Sequence, residues 1–164
     1  MEALYPYFKE LKDAGFGIPE KLIKGLYKYD LTERPMIVVG IDDNDIWHYD
    51  WYEKQISWIS KESLNPKGKY NKDYVFITDA DGLAELLPPS LKSKWSHTDI
   101  DGYEYEYFEL TISKNYDGSF TSSYCIKEHC HDLIEVTGKT LTESLVKMLL
   151  WLMKEGHVME GGGV

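Results

Sequence analysis

The stretch YEYEYFELTISKNYDGSFTSSYCIKE, residues 103–128, decides the predicted fold. Two runs of strand-forming residues, Tyr103–Ser113 and Phe120–Glu128, flank the turn signal Tyr116-Asp117-Gly118, which is typical of a β-hairpin. Loops of two and three residues would put different side chains on one face of the hairpin. The three-residue loop, with Gly118 in the left-handed conformation, collects the apolar side chains of both strands on one face, and we therefore prefer it.

The same register collects polar and aromatic side chains on the opposite face of the hairpin. Either another layer of the protein covers this face, or it is exposed and binds a protein. Tyr loses little side-chain entropy on ordering, so a cluster of Tyr favours binding. The candidate binding residues are Tyr103, Tyr105, Tyr107 and Glu109, and the residues expected beside them are His131, His129, Lys127 and Cys125.

The residues after the hairpin predict a third strand, Leu133–Thr137, and then a long helix, Leu141–Glu155. Thr140-Leu-Thr-Glu143 is typical of a capping box, in which two side chains satisfy free backbone N–H groups at the helix start. Gly156 then ends the helix. The predicted core stripe consists of Leu141, Leu145, Met148, Leu149 and Leu152.

This closing segment resembles a known group of sequences. From Val136 to Leu152 (VTGKTLTESLVKMLLWL) it is similar to the ending of many short, uncharacterised phage and prophage proteins, in which a meander is closed by a helix of the form G-x-T-hydrophobic-x-E-A-hydrophobic. Ser144 stands where Ala is commoner. The resemblance implies a phage or prophage origin and an α/β sandwich, and it carries no catalytic residues.

The N-terminal third predicts two helices and a strand. Apolar residues at helical spacing predict a helix over Glu2–Ala14, and Pro19 begins a second, through about Tyr27. Glu33-Arg34-Pro35 is expected to break the chain before a buried strand at Met36–Ile41.

The middle of the chain is harder to interpret. Trp47, Tyr49 and Trp51 alternate as in a strand, which we place from Ile46 to about Tyr52, while Gln55–Ile59 could be strand or helix. The remaining predictions are a turn at Asp42–Asp45, a polar loop at Asn65–Lys72 and a short strand at Tyr74–Ile77. A helix capped by Asp79 or Asp81 is predicted to run to Leu87, and Leu91–Gly102 is predicted to be a loop with a turn of helix.

Together these elements predict one α+β domain over residues 1–158. Its antiparallel sheet is the C-terminal meander, and helices pack on the sheet in a sandwich of two or three layers. Residues 159–164, which include three consecutive Gly, are expected to form a disordered tail.

Charge limits the partners of this chain. The net charge of −10 disfavours nucleic acid and anionic membrane, because both are bound through Lys and Arg. Arg34 is the single Arg. We expect a protein partner, with a basic one favoured, and leave the oligomeric state open. No signal peptide is apparent and Cys125 and Cys130 are poorly placed to pair, so we expect a cytoplasmic location.

The richest group of metal-ligating residue types is Cys125, His129 and His131, which would share one face of a strand. Two His at this spacing and a thiolate can bind zinc or copper. A closed structural zinc site needs a fourth ligand, so we predict no metal and no other cofactor. Asp42–Asp45 lacks the Gly and the final Glu of a calcium loop and is read as a turn.

Enzymatic motifs are missing from the sequence. It has no G-x-S-x-G, no P-loop and no G-x-G-x-x-G. We therefore favour a non-catalytic phage-type accessory protein that binds another protein through an acidic, Tyr-rich surface. The alternatives are an immunity-type inhibitor of a bacterial toxin, and a small metal-dependent enzyme that uses the Cys125, His129 and His131 group.

Overall fold

A computed structural model describes residues 4–28, 30–98, 104–126 and 131–157, with side chains for all of these except 93–98, 104–106 and 131. Within these ranges the protein has three α-helices and nine strands, and the strands form two antiparallel sheets. The predicted α+β class is therefore confirmed. No helix in the described part of the chain has the length and apolarity needed to cross a membrane.

The described chain divides into two compact units, one within residues 4–82 and the other within residues 83–157. Each unit contains one of the two sheets. The single domain over residues 1–158 stays a prediction. The predicted tail, residues 159–164, lies outside the described residues.

The first unit is a five-stranded antiparallel sheet with a helix beside it. The strands follow the order β4-β3-β2-β1-β5, so β1 is paired on both sides. Short 3-10 turns lie at Glu20–Leu22 and Lys61–Leu64. The elements are α1 (Tyr5–Asp13), β1 (Gly25–Lys28), β2 (Leu31–Ile41), β3 (Asp45–Asp50), β4 (Gln55–Ser60), β5 (Tyr74–Ile77) and the start of α2 (Ala80–Leu86).

The core of the first unit lies on one side of this sheet, which we call the inner face. Phe8 and Leu11 of α1 are fully buried and line a small cavity together with Phe76 of β5. Lys12 of the same helix donates hydrogen bonds to the carbonyl oxygens of Asn71, at 2.6 Å, and Tyr74, at 2.8 Å. Of the apolar stripe predicted for the first helix, Phe8 and Leu11 are thus buried, whereas Leu4 precedes the helix and Tyr7 is partly exposed.

The predicted second helix, Pro19 to about Tyr27, is wrong, because these residues form a 3-10 turn and then β1. Gly25 pairs with Ile37 of β2 and with Ile77 of β5. A Cβ atom at Gly25 would lie 2.7 Å from the carbonyl oxygen of Met36, so a side chain does not fit there. Pairing on both sides satisfies the backbone of this central strand, and this outweighs the local preference for helix.

Two further predictions for the first unit are corrected. Glu33-Arg34-Pro35 lies inside β2 and does not break it. No strand pair of β2 includes Pro35, so the missing N–H of this residue costs little there. Met36–Ile41 is not buried on both faces, since Ile37 and Val39 are exposed. Gln55–Ile59, which the sequence left open, belongs to β4.

The second unit is a four-stranded meander with one long helix packed on β8 and β9. It confirms the predicted C-terminal sheet and helix. The loop predicted at Leu91–Gly102 is wrong, because a strand that pairs with β7 runs to Thr98. The elements are β6 (Ser90–Thr98), β7 (Glu104–Lys114), β8 (Phe120–Ile126), β9 (His131–Gly138) and α3 (Leu141–Lys154).

The hairpin of β7 and β8 has the register that the sequence predicts. Asn115 donates its backbone N–H to the carbonyl oxygen of Ser119 at 2.8 Å, which leaves three residues in the loop. Gly118 has φ +87°, the left-handed conformation expected of it. Leu110 lies opposite Tyr124 on the face that packs toward the core.

Helix α3 begins and ends as predicted. The Thr140 hydroxyl accepts the backbone N–H of Glu143 at 3.1 Å, and the Glu143 carboxylate accepts the N–H of Lys139 at 2.9 Å. The reciprocal bond of the box thus reaches one residue further back than expected. Gly156, with φ +76°, follows the end of the helix. The buried side of the helix includes Leu145, Val146, Met148, Leu149, Leu150 and Leu152.

Candidate binding face and cleft

The predicted binding residues of the second unit are only partly described. Tyr107 is 53% exposed and Glu109 is exposed, whereas the side chain of Tyr105 and the whole of Tyr103 lie outside the described residues. Glu109 pairs with Cys125, as the register predicts. The binding role of this face stays a prediction.

The predicted metal group is also described only in part. Cys125 is buried, and its Sγ lies 3.3 Å from the Thr111 hydroxyl. His129 and the side chain of His131 lie outside the described residues. Among the side chains that the structure does describe, no three His, Cys, Asp or Glu are placed to hold a metal ion.

The first unit contains a surface that the sequence did not single out. Along β3 the side chains of Ile46, His48 and Asp50 are buried on the inner face, while those of Trp47 and Tyr49 are exposed on the other side. The more apolar side of this strand is therefore the exposed one. Large aromatic side chains rarely remain exposed together without a reason.

Strand register joins these exposed side chains into one surface. Tyr49 of β3 lies between Ile37 of β2 and Ile56 of β4, and Trp47 lies opposite Trp58. A register shift between Val38 and Gly40 leaves Val39 exposed beside them. We call this surface the outer face; it consists of Ile37, Val39, Trp47, Tyr49, Ile56 and Trp58, which are between 37% and 62% exposed.

One end of the outer face is acidic. The Asp42 carboxylate accepts hydrogen bonds from the indole Nε1–H of Trp47, at 2.8 Å, and from the backbone N–H groups of Asn44 and Asp45, at 2.9 and 2.8 Å. The bond from Trp47, followed by the two backbone bonds, lowers the pKa of Asp42. The Asp42 carboxylate is thus held ionised and fixes the orientation of the exposed Trp47 ring.

A cleft of about 400 Å³ lies beside the other end of the outer face. Ile77, Gly25, Ile37 and Tyr49 form one row across β5, β1, β2 and β3, and Gly25 contributes no side chain to it. Gly25 and its three neighbours in this row all line the cleft. The residues that line the cleft include Lys24, Arg34, Ile37, Tyr49, Trp51 and Asp79.

Arg34 lies at this cleft and contacts Trp51 in two ways. Its guanidinium carbon lies 4.5 Å from the centre of the Trp51 ring, within the range of a cation–π contact. The indole N–H of Trp51 in turn donates to the carbonyl oxygen of Arg34 at 3.2 Å. The two residues therefore hold each other, and the only Arg of the chain is preorganised at the cleft.

On the inner face of the sheet, opposite the outer face, β3 buries two polar side chains, Asp50 and His48. Asp50 forms an ion pair with Lys28 and accepts the backbone N–H groups of Tyr52, at 3.0 Å, and Glu53, at 3.1 Å. Burial alone would raise the pKa of Asp50, but the bonds from Lys28 and the two N–H groups outweigh burial and lower it. His48 is fully buried, and neither of its ring nitrogens has a hydrogen-bond partner among the described residues.

Acid should therefore destabilise the protein through His48. Burial lowers the pKa of His48, and the charge of Lys28 lowers it further. The unfolded chain, in which a His titrates near pH 6.5, takes up this proton first, so stability is lost as the pH falls below that value. We expect the melting temperature to drop between about pH 7.5 and about pH 5.5, where Asp50 stays ionised.

A His48→Phe variant isolates this effect, since Phe keeps the ring and removes the titration. Its melting temperature should change much less over the same pH range. His157→Asn, which removes a partly exposed imidazole, is the matched control and should keep the wild-type pH dependence. An equal loss of stability in wild type and His48→Phe would show that His48 is not its source.

The outer face and the cleft could not be predicted from the sequence, for different reasons. The alternation of Trp47 and Tyr49 predicted a strand, and a count of apolar side chains on each side could have flagged a sheet with two apolar faces. The cleft depends on Gly25, which was assigned to a helix. No local signal places Gly25 beside Ile37 and Ile77.

The comparisons with known proteins supply no residue role for this chain. The resemblance of Val136–Leu152 to phage and prophage proteins stays a prediction, and the candidate site rests on its own geometry. No family model, no curated protein and no solved structure matches the chain.

Proposed function

We propose that this protein is a phage-type accessory protein that acts without catalysis, by binding another protein through the outer face of its first unit. One observation carries the proposal: six large apolar side chains, three of them Trp or Tyr, are exposed together on β2, β3 and β4. The proposed binding face is therefore on the first sheet, and the Tyr107 and Glu109 face of the second unit is the alternative that the test must separate.

The size of the outer face supports protein binding. At roughly 100 Å² for each half-exposed side chain, the six side chains present on the order of 600 Å². This is at the upper end of the largest patch on a typical monomer. It is also close to the ~800 Å² that each partner contributes to a standard protein interface. Trp and Tyr are the residues most enriched among binding hot spots.

Charge favours a partner with basic groups around an apolar patch. Asp42 and Asp43 are exposed at the turn that precedes Trp47, and Asp45 is partly exposed. Lys61 offsets part of this charge, because its Nζ contacts the carbonyl oxygen of Asp42 at 3.2 Å and forms an ion pair with Glu20. The remaining acidic charge, with the net charge of −10, would steer a basic partner toward this end of the face.

The test compares two sets of substitutions on capture of a partner from host lysate. Ile56→Ser combined with Trp58→Ser removes two exposed apolar side chains from the edge strand β4. We expect capture to fall at least roughly tenfold, because Ile56 and Trp58 are two of the six exposed apolar side chains of the proposed interface and Trp is enriched among binding hot spots. Tyr107→Ser is the control on the other candidate face and should capture the partner as wild type does.

The captured protein is then identified, purified and titrated against each variant, at low and at raised salt. Faster association at low salt is expected for a basic partner. Loss of binding in Tyr107→Ser, with normal binding in the double variant, would move the site to the second unit. A monomer that captures no protein, or one that captures it equally in all variants, would overturn the proposal. A toxin as the partner would assign the immunity-type role.

A further inference from the structure

We propose that the cleft beside Gly25 is a binding site for a small apolar carboxylate. This inference is independent of the proposed protein partner. It rests on three features of the described residues: the concave shape over Gly25, the apolar walls, and the cations that face the opening.

Shape and walls suit a small apolar group. The volume of about 400 Å³ falls within the roughly 300–1,000 Å³ of ligand sites. Ile37, Tyr49 and Trp51 provide aliphatic and aromatic surface along one side. Beside them Gly25 is held in the middle of the sheet by pairs on both sides, so the depression is part of a rigid element rather than a loop.

The charged side chains that line the cleft favour a ligand whose polar group is an anion. Arg34 and Lys24 both line the cleft, against a single carboxylate, Asp79. The Asp79 carboxylate is engaged, because its Oδ1 accepts the backbone N–H of Gly82 at 3.0 Å. The cleft is thus locally cationic in a chain of net charge −10.

Arg34 is available to bind this anion. Among the described residues its guanidinium makes the cation–π contact with Trp51 and no hydrogen bond or ion pair. A guanidinium has five N–H donors in a planar fork that matches a carboxylate. The contact with Trp51 restrains the guanidinium at the cleft, which reduces the entropy lost on binding.

The ligand chemistry has two sources, a free small molecule or the C-terminal carboxylate of a peptide that ends in an apolar residue. The probes are 4-phenylbutyrate for the first and acetyl-Gly-Gly-Phe with a free carboxylate for the second. The neutral controls are 4-phenylbutan-1-ol and the same peptide as its C-terminal amide. Titrations are followed by protein NMR, with the Trp51 indole N–H, assigned by its loss in Trp51→Phe, as the local reporter.

We expect at least one carboxylate probe to bind with a dissociation constant of about 1 mM or below, given its size, and to shift the Trp51 indole signal. Its neutral control should bind at least roughly tenfold more weakly, because a hydrogen-bonded charge contact is lost. Tighter binding of phenylbutyrate assigns a free acid, and tighter binding of the peptide assigns a chain terminus.

Variants separate this site from the outer face. Arg34→Gln should weaken carboxylate binding roughly tenfold, Arg34→Lys should restore part of it, and Lys72→Gln, an equal loss of charge outside the cleft, should change nothing. Ile56→Ser with Trp58→Ser removes outer-face residues that do not line the cleft, and it should bind the probe normally. Equal binding of acid and neutral control, an unaffected Arg34→Gln, or no binding of either acid would overturn the proposal.

Discussion

Leu149→Asp is expected to unfold the second unit. Leu149 is fully buried in α3, the helix that packs on β8 and β9. Shortening a buried Leu costs about 2–5 kcal/mol through lost contacts and the cavity left behind. A carboxylate without a partner adds the cost of desolvating a charge. Since a whole domain is stable by only about 5–15 kcal/mol, one such substitution removes most of the stability.

The matched control places the same substitution on an exposed site of the same unit. Leu133 of β9 is 42% exposed, and Leu133→Asp should leave the thermal transition within a few degrees of wild type. Far-UV circular dichroism and amide NMR spectra report folding in each case. A Leu149→Asp protein that melts together with Leu133→Asp would show that α3 does not bury this side chain.

The second unit could be predicted because its decisive signals are local. Gly118 stands where a three-residue hairpin loop needs positive φ, and the structure has it there. Thr140 and Glu143 mark the start of α3 within one turn of sequence. Each signal depends on residues a few positions apart, so it can be interpreted without knowing the tertiary contacts.

The first unit could not be predicted in the same way, because β1 is defined by distant partners. Gly25 pairs with Ile77, far along the chain, and the intervening residues form three other strands. Leu22, Ile23 and Leu26 follow a helical spacing, and a four-residue strand is too short to show a period of its own. Long-range pairing, which leaves no local pattern, decided this element.

The outer face could not be predicted, because hydrophobicity predicts that the more apolar side of β3 is buried, whereas in the structure that side is exposed. His48 and Asp50 are buried, whereas Trp47 and Tyr49 are exposed. Asp50 tolerates burial because Lys28 and two backbone N–H groups compensate its charge. A strand that buries its polar residues and exposes its aromatic ones departs from the ordinary pattern, and such departures concentrate at functional surfaces.

Gly138→Ala is expected to displace α3 from the sheet. Gly138 ends β9 opposite Phe120, and a Cβ atom there would lie 2.4 Å from the backbone nitrogen of Ser144. It would also lie 2.9 Å from the carbonyl carbon of Glu143. These are backbone atoms of the first helical turn, so no side-chain rotation relieves the clash.

The close approach of α3 to the sheet also brings the small residue Ser144 within hydrogen-bonding distance of two strands. The Ser144 hydroxyl lies 2.6 Å from the Ser122 hydroxyl of β8 and donates to the Val136 carbonyl oxygen of β9 at 3.1 Å. The first contact is buried and the second is partly buried, so moving the helix outward would break two hydrogen bonds that join it to the sheet. Ser144 thus joins the helix to two strands.

The expected cost of Gly138→Ala is about 1–3 kcal/mol from overpacking, plus the loss of the Ser144 hydrogen bonds. Gly40→Ala is the control, because a Cβ atom at Gly40 in β2 would meet no atom within 4 Å. That substitution should be neutral or slightly stabilising, since it reduces the freedom of the unfolded chain. Denaturant titration of both variants measures the difference. Equal stability of Gly138→Ala and Gly40→Ala would show that the helix does not approach the sheet this closely, and a large loss confined to Gly138→Ala would confirm the contact.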